Sequence, residues 1–240
     1  MALGVALWEV VVRVGRYPDY LLPGPQDVAV RFGQALADGT WLRHTQVTLV
    51  ESVLGFLAGF VVAVVLGYTL ARQRSLERAL SPYIAASQSL PIVAIAPLVV
   101  LWFGYGFFPK VLVCALVVFF PILVNTLVGI RNIPRDMLEV AQVYGANRWQ
   151  TLWMVEAPLA LPVLLAGVRL GLTLSITGAV VAEFVGADVG LGVLLNISSG
   201  LFDTPLMFVA LVTLIAMASS FYALAVALER ALLGWQETRK

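Results

Sequence analysis

Five apolar runs in the amino-acid sequence are each long enough to cross a lipid bilayer. They cover residues 45–71, 83–103, 108–130, 158–183 and 204–233. The hydrocarbon core of a bilayer takes about 20 consecutive apolar residues per helix. Hydrophobic residues make up 60% of the chain and charged residues 12%, whereas soluble domains are about 45–50% apolar and about 25% charged. The sequence therefore predicts an all-α polytopic membrane protein rather than a soluble protein with an unusually large core.

The N-terminal region adds one short apolar segment and one amphipathic segment. Residues 1–12 are apolar, but as a helix they would reach only about 18 Å, against about 30 Å for the bilayer core. We count residues 1–20 as a shortened first span; residues 45–233 then hold the core spans, and the total is about six. Residues 25–38 begin with Pro25 and place Val28, Phe32 and Ala35 on one face. This pattern predicts an interfacial helix, with a solvated loop as the alternative.

The distribution of Lys and Arg orients the spans. When both termini are placed in the cytoplasm, the cytoplasmic loops carry more basic residues than the outer loops, which is the bias seen in membrane proteins. Segment 184–203 contains Asp188 and Asp203 and no Lys or Arg, so it then faces outward. We predict a multi-pass protein of the cell (inner or plasma) membrane with both termini cytoplasmic.

Residues 132–157, between the fourth and fifth spans, have the pattern of two short helices. Pro134 suits the first turn of a helix and Gly145 suits its end. The segment contains Glu139-Val-Ala141, three residues, Gly145, nine residues, and Val155-Glu-Ala-Pro158. This spacing resembles the cytoplasmic loop of ABC importer permeases, whose pattern is Glu-Ala-Ala, three residues, Gly, nine residues and Ile-x-Leu-Pro. The departures are three apolar replacements: Val140, Val155 and Ala157.

The resemblance extends over most of the chain. Further motifs resemble the nitrate, sulfonate and taurine branch of these permeases, whose relatives also import thiamine-precursor pyrimidines or riboflavin. These motifs are Leu22-Pro-Gly-Pro25, Gln88-Ser-Leu-Pro91, Leu101-Trp-Phe-Gly104, Phe120-Pro-Ile-Leu-Val-Asn-Thr126, Ala166-Gly-Val-Arg-Leu-Gly171 and Glu183-Phe-Val-Gly186. Their order and spacing point to the branch and leave the cargo open.

In that family the loop forms a coupling helix that docks on a cytoplasmic ATPase. The resemblance implies an ATPase-coupling role for the residues of the loop motif, which are Glu139, Ala141, Gly145, Ala146 and Pro158. It also implies a homodimer of permeases with two ATPase subunits and an extracytoplasmic substrate-binding protein. ATP and Mg would be bound by the ATPase, and we expect no cofactor in this chain, whose sequence has no Gly-x-x-x-x-Gly-Lys-Ser/Thr motif.

Polar residues inside spans are costly and therefore mark candidate cargo contacts. We nominate Gln88, Asn125, Ser175 and Glu183 for the translocation path, although neutral polar groups in spans also hold helices together. Pro91 and Pro97 interrupt the hydrogen-bond ladder of the third span, which predicts a bend there.

Two other classes of function stay open on the residues alone. An ion-coupled secondary transporter or channel would need intramembrane carboxylates or a filter-like ring. A membrane-embedded enzyme would need a catalytic constellation, and the sequence offers one histidine, His44, and one cysteine, Cys114. We therefore predict no catalytic residue and no metal site. The net charge of +1 gives no reason to expect a nucleic-acid partner.

Overall fold

The computed structural model describes residues 2–15, 18, 20–88 and 91–237 of the chain. Within these ranges every regular element is a helix. The N-terminal half contains α1 (Ala2–Gly15), α2 (Pro25–Ala37), α3 (Thr40–Arg72), α4 (Arg74–Gln88), α5 (Ile92–Phe103) and α6 (Phe107–Arg131). The C-terminal half contains α7 (Arg135–Val143), α8 (Arg148–Thr151), a π-helical turn (Leu152–Glu156), α9 (Ala157–Gly186), α10 (Leu191–Gly200) and α11 (Thr204–Glu237).

Long apolar helices confirm the prediction of an all-α polytopic membrane protein. Four helical segments are long and apolar enough to cross a bilayer: α3, α6, the continuous stretch Arg148–Gly186 that includes α9, and α11. Helices α4 and α5 supply a fifth if they are counted as one broken span, because they meet at 99°. The predicted break at Pro91 is therefore present, whereas Pro97 lies within α5. The predicted first span corresponds to α1, which has 14 residues and is shorter than a bilayer core.

Helices α3, α6 and α9 form the centre of the bundle. A Cβ atom at Gly55 would lie 2.3 Å from Cys114 Sγ, and one at Gly59 would lie 2.6 Å from the Ala115 carbonyl oxygen. The contacts advance along both helices together, so α3 and α6 are parallel. A Cβ atom at Gly178 of α9 would also meet Cys114, at 2.8 Å from its Cα. Small residues of this kind let helix backbones approach closely in lipid, where van der Waals packing drives association.

Helices α10, α11 and α2 pack around this centre. Helix α10 is too short to span, and Leu191, Leu194 and Leu195 on it are buried in a cluster with residues of α9 and α11. Helix α2, which matches the predicted interfacial segment 25–38, contributes the buried Ala35 to the same cluster. The side chain of Trp41 donates a hydrogen bond of 2.9 Å to Thr213 Oγ1 and so ties the start of α3 to α11.

The bundle has two chemically different ends. Helices α3 and α6 finish beside the start of α9 at one end, which we call the arginine end and define by Arg72, Arg131 and Glu156. The other end, which we call the histidine end, is defined by His44 and Gly190, whose contact joins α3 to the segment before α10. The predicted cytoplasmic loops after α3 and α6 therefore share one end, and the predicted outer segment 184–203 begins at the other.

The close approach of α3 to α6 makes Gly59 intolerant of even one methyl group. We expect Gly59→Ala to destabilise the folded chain by about 1–3 kcal/mol, because the added Cβ meets backbone that cannot rotate away. Thermal unfolding of the purified protein in detergent, followed by size-exclusion chromatography, measures the effect. Gly33→Ala in α2 is the control, since a Cβ at Gly33 has nothing within 4 Å. Equal unfolding midpoints for the two variants would contradict this account of the packing.

Candidate coupling and translocation sites

The segment between α6 and α9 folds as a helix, a tight turn and a second helix. Helix α7 begins after Pro134 and carries Asp136 in its first turn, where negative charge is favoured by the helix dipole. Two residues after its last residue, Val143, comes Gly145, which has a φ of +73°. Gly145 N–H donates to the Gln142 carbonyl at 2.9 Å, and Ala146 N–H donates to the Ala141 carbonyl at 3.0 Å. This is the Schellman pattern of a helix end, in which glycine occupies the left-handed position.

A capping box starts the second helix of the segment, and the sequence analysis did not single it out. Asn147 Oδ1 accepts a hydrogen bond of 2.9 Å from Gln150 N–H, and Gln150 Oε1 accepts one of 2.8 Å from Asn147 N–H. The signal was present as Asn-x-x-Gln, a variant of the usual Ser/Thr-x-x-Glu/Gln box. The backbone groups on both sides of the turn at Gly145 are therefore hydrogen-bonded.

The residues of the predicted coupling motif differ in their exposure. Glu139 and Gly145 are exposed, Ala146 and Pro158 are half-buried, and Ala141 is buried. The exposed apolar surface of the segment comes instead from neighbouring side chains that the sequence analysis did not nominate. Those with the largest exposure are Val143 at 86% and Tyr144 at 87%, beside Gly145. Apolar side chains this exposed on a segment outside the spans are typical of a surface that another protein covers.

A buried carboxylate anchors this segment to the bundle. Glu156, at the end of the π-helical turn, has a side chain only 2% exposed and forms an ion pair with Arg72 at the end of α3. Tyr68 Oη also donates a hydrogen bond of 3.1 Å to Glu156 Oε2. Arg72 in turn donates to Tyr68 Oη at 3.2 Å. The sequence signal was a Glu directly before an apolar span and an Arg at the end of another, but only the fold brings the two together.

Asn125 is the nominated path residue that reaches an open cleft. A cleft of about 600 Å³ lies between α5, α6 and α9, and Ser87, Phe120, Asn125 and Leu170 are among its lining residues. Asn125 Nδ2 donates a hydrogen bond of 2.8 Å to the Pro121 carbonyl, one turn earlier in the same helix. The side chain of Gln88 lies outside the described part of the structure.

Ser175 and Glu183 are buried between helices at other levels of the bundle. Ser175 Oγ donates to the Leu172 carbonyl at 2.7 Å within its own helix. Glu183 Oε1 accepts a hydrogen bond of 2.6 Å from Thr48 Oγ1, and its Oε2 accepts one of 2.6 Å from Gly192 N–H. Asn125, Ser175 and Glu183 are therefore not brought into one cluster, and their role in transport stays a prediction.

The Glu183 contacts belong to a polar network at the histidine end. Thr48 Oγ1 accepts from Leu191 N–H at 2.8 Å, and His44 Nδ1 lies 2.6 Å from the Gly190 carbonyl oxygen. Glu183 and Thr48 together satisfy backbone N–H groups in the first turn of α10. A carboxylate near a helix N-terminus is stabilised by those N–H groups and by the helix dipole. The network thus fixes the short helix α10 against α3 and α9.

Two further pairs of intramembrane charges join neighbouring helices. Glu51 of α3, whose side chain is fully buried, forms an ion pair with Lys110 of α6. Arg169 of α9 lies 3.4 Å from Glu229 of α11 and sits over the ring of Tyr222. Both pairs join neighbouring helices, which is the role that paired charges commonly have inside membranes.

Comparison with known proteins defines the class. Residues 54–234 match the family described as the binding-protein-dependent transport system inner membrane component, and the chain belongs to this family. It is a membrane-spanning permease subunit of an ABC importer, and ATP hydrolysis belongs to a separate ATPase subunit. An importer of this kind also has a substrate-binding protein. The resemblance deduced from the loop motif and the shorter motifs is confirmed, and the alternatives of a secondary transporter, a channel or a membrane enzyme are not supported.

Individual relatives differ in their similarity to the chain. The chain is 55% identical to the riboflavin transport system permease protein RibX of Chloroflexus aurantiacus, over 98% of this chain and 88% of the relative. It is 34% identical to the formylaminopyrimidine transport permease protein ThiX of Halalkalibacterium halodurans, over 97% and 92%. The taurine permease TauC of Escherichia coli is 30% identical, over 98% and 87%. An inward-facing crystal structure of the MetNI methionine ABC transporter shares the fold, with a TM-score of 0.73 and 20% identity, covering 82% of this chain and 97% of that one.

The Arg72–Glu156 pair should behave as one unit in a double-mutant cycle. Arg72→Met leaves the buried Glu156 carboxylate without its cation, and we expect a loss of about 2–3 kcal/mol. Breaking a fully buried ion pair costs about 3–5 kcal/mol. We expect a smaller loss here because the Arg72 side chain is 45% exposed. Adding Glu156→Gln to Arg72→Met should recover part of the loss. The unfolding midpoint in detergent measures each variant.

The matched control for this cycle is Arg148→Met. Arg148 is exposed and has no ion-pair partner among the described residues, so its replacement should leave the midpoint almost unchanged. Strictly additive effects of Arg72→Met and Glu156→Gln would contradict the assignment, since independent sites add and coupled sites do not.

Proposed function

We propose that the chain is the permease of a riboflavin importer. The observation that carries the proposal is the identity of 55% with RibX over 98% of the chain, against 34% with ThiX and 30% with TauC. The three relatives are named for different cargoes, and the similarity is much greater to the one named for riboflavin.

The chemistry of the cleft supports an uncharged ring compound over an anion. The residues that line the Asn125 cleft are apolar apart from Ser87 and Asn125, and none is Asp, Glu, Lys or Arg. The sulfonate group of taurine or of an alkanesulfonate would leave water for this surface without a cation to pair with it, which is costly. The planar, uncharged ring of a flavin could pack against Phe120 and the aliphatic side chains and accept or donate hydrogen bonds at Asn125.

The assembly we propose is a homodimer of this chain with two ATPase subunits. The Asn125 cleft is open on the single chain, and a second copy would close it around cargo. Segment 132–157 would dock on the ATPase through Glu139, Ala141, Gly145, Ala146 and Pro158 together with the exposed Val143 and Tyr144. ATP and Mg would be held by the ATPase. Gln88, Asn125, Ser175 and Glu183 remain our candidates for the translocation path.

The orientation we propose places the arginine end and both termini in the cytoplasm. Arg72, Arg74, Arg78, Arg131 and Arg135 gather at this end, as the excess of basic residues in cytoplasmic loops favours. The substrate-binding protein would then deliver cargo at the histidine end, where segment 184–203 and α10 lie.

Ligand binding by the partner binding protein tests the cargo. We expect the purified binding protein encoded with this permease to quench riboflavin fluorescence with a saturating isotherm. It should not bind taurine, alkanesulfonates or formylaminopyrimidine. A riboflavin-requiring bacterial strain that expresses the permease, ATPase and binding protein should then grow on low riboflavin. A strain with a hydrolysis-deficient ATPase is the control for uptake. Binding of a sulfonate or a pyrimidine in place of riboflavin would refute the cargo assignment.

Substitutions at Gly145 test the coupling role of the turn. A Cβ at Gly145 has nothing within 4 Å, but the φ of +73° strains any β-branched residue. We expect Gly145→Val to distort the turn at a cost of about 1–2 kcal/mol and to abolish stimulation of ATPase activity by the loaded binding protein. Gly145→Asn is the control, because asparagine tolerates this conformation, and it should retain most of the stimulation.

A Cβ atom added at Gly145 meets no other residue within 4 Å, so both variants should reach the membrane and elute as folded protein. If Gly145→Val keeps full stimulation and full association with the ATPase, the turn is not part of the coupling surface.

A further inference from the structure

The arginine end contains a pocket whose charge the transport role does not explain. Its volume is about 540 Å³, and it lies where α3 ends, α4 begins, α6 ends and α7 begins. Five arginines line it, namely Arg72, Arg74, Arg78, Arg131 and Arg135. The volume falls within the about 300–1,000 Å³ of small-molecule sites.

The carboxylates of the pocket are already paired. Its two glutamates are Glu77 and Glu156, and Glu77 forms an ion pair with Arg131 while Glu156 forms one with Arg72. Arg74, Arg78 and Arg135 therefore have no carboxylate partner in the part of the chain that the structure describes. Arg78 Nε donates to the Arg74 carbonyl at 3.3 Å within its own helix, which leaves its charge uncompensated. Three positive charges are in excess around one concave surface.

The position of the pocket selects the kind of anion that can reach it. Arg72 and Arg131 are the last residues of two bilayer-spanning helices, so the pocket lies at the level where the hydrocarbon core gives way to headgroups. Ala71, Ile130 and the buried Ile133 supply apolar surface beside the arginines. Basic pockets between spanning helices attract phosphate-bearing headgroups. Guanidinium groups bind phosphate oxygens in a bidentate manner through charge-assisted hydrogen bonds.

We propose that this pocket binds a phosphate-bearing anion, held by Arg74, Arg78 and Arg135. The phosphate comes either from the headgroup of an anionic phospholipid in the adjacent leaflet or from a soluble phosphate compound. Because Arg74 and Arg78 lie on α4 and Arg135 begins α7, the bound anion bridges the elbow after α3 to the loop that precedes α9. The ion pairs Arg72–Glu156 and Arg131–Glu77 hold the walls of the pocket in place, and their arginines do not bind the anion.

Reconstitution of the full chain in nanodiscs tests the proposal. The unfolding midpoint is measured in pure phosphatidylcholine, in phosphatidylcholine with phosphatidylglycerol, and in phosphatidylcholine with inorganic phosphate titrated in. Native mass spectrometry counts the phosphatidylglycerol retained per chain. We expect the midpoint to rise with phosphatidylglycerol, with phosphate, or with both. A rise with the lipid alone identifies the headgroup as the source, and a rise with inorganic phosphate shows that phosphate suffices.

Arginine variants locate the effect. The triple variant Arg74→Gln, Arg78→Gln and Arg135→Gln should lose the rise and bind the anion about tenfold or more weakly. The matched control removes three exposed arginines outside the pocket, Arg13→Gln, Arg43→Gln and Arg230→Gln, and should behave as the unchanged chain. Single variants at the exposed Arg74 and Arg78 report the same loss in smaller steps if the triple variant fails to fold.

Several outcomes would overturn the proposal. These are the absence of any rise in the unchanged chain, equal losses in the triple variant and its control, or binding of lipid that survives in the triple variant. Loss of ATPase co-purification in the triple variant, without any effect of lipid or phosphate, would instead assign the pocket to an acidic surface of the ATPase.

Discussion

The close approach of α3, α6 and α9 is the constraint on which the rest of the structure depends. Lipid gives no hydrophobic drive for helices to associate, so their contact must come from van der Waals packing over a large matched surface. Gly55, Gly59 and Gly178 remove the side chains that would hold the backbones apart, and Cys114 fills the space between them. Because α3 and α6 run parallel and α9 runs back between the same ends, this packing determines which termini meet. The Glu183 network and the Arg72–Glu156 pair both lie where these helix ends meet.

Two of the polar sites lie at opposite ends of the bundle. At the histidine end, Glu183 and Thr48 satisfy the start of α10. At the arginine end, Glu156 ties the loop before α9 to α3. A rigid attachment at this second point matters for a subunit driven by a separate ATPase. If the ATPase docks around Gly145, as we propose, force applied there can move the spans only if the loop does not give way. The ion pair between Arg72 and the buried Glu156, with the Tyr68 hydroxyl on the same carboxylate, resists that movement.

Much of this fold could be predicted from the sequence, because long apolar runs and the Pro and Gly residues that interrupt helices are local signals. The spans, the break at Pro91 and the turn at Gly145 all follow from residue types in order along the chain. The pairing of Glu156 with Arg72 could not be predicted in this way, since 84 residues separate the partners. The burial of Ala141 beside exposed Val143 and Tyr144 likewise depends on how α7 rests against the bundle, which the motif does not encode. The family resemblance supplied the class of protein, whereas the structure showed which side chains of the loop are exposed to solvent.

The Asn125 cleft and the arginine pocket differ in charge, and this difference suits them to different ligands. The Asn125 cleft has no charged lining residue. If it is the cargo path, as we propose, it would distinguish cargoes mainly by shape and by a few hydrogen bonds, and a neutral ring would enter it without a large desolvation cost. The arginine pocket has the opposite character and lies at the headgroup level, outside the path that cargo would take between α5, α6 and α9. An anion held there would add no specificity for cargo. It would instead stiffen the joint between α4 and α7, and so set how firmly the loop around Gly145 is held to the spans.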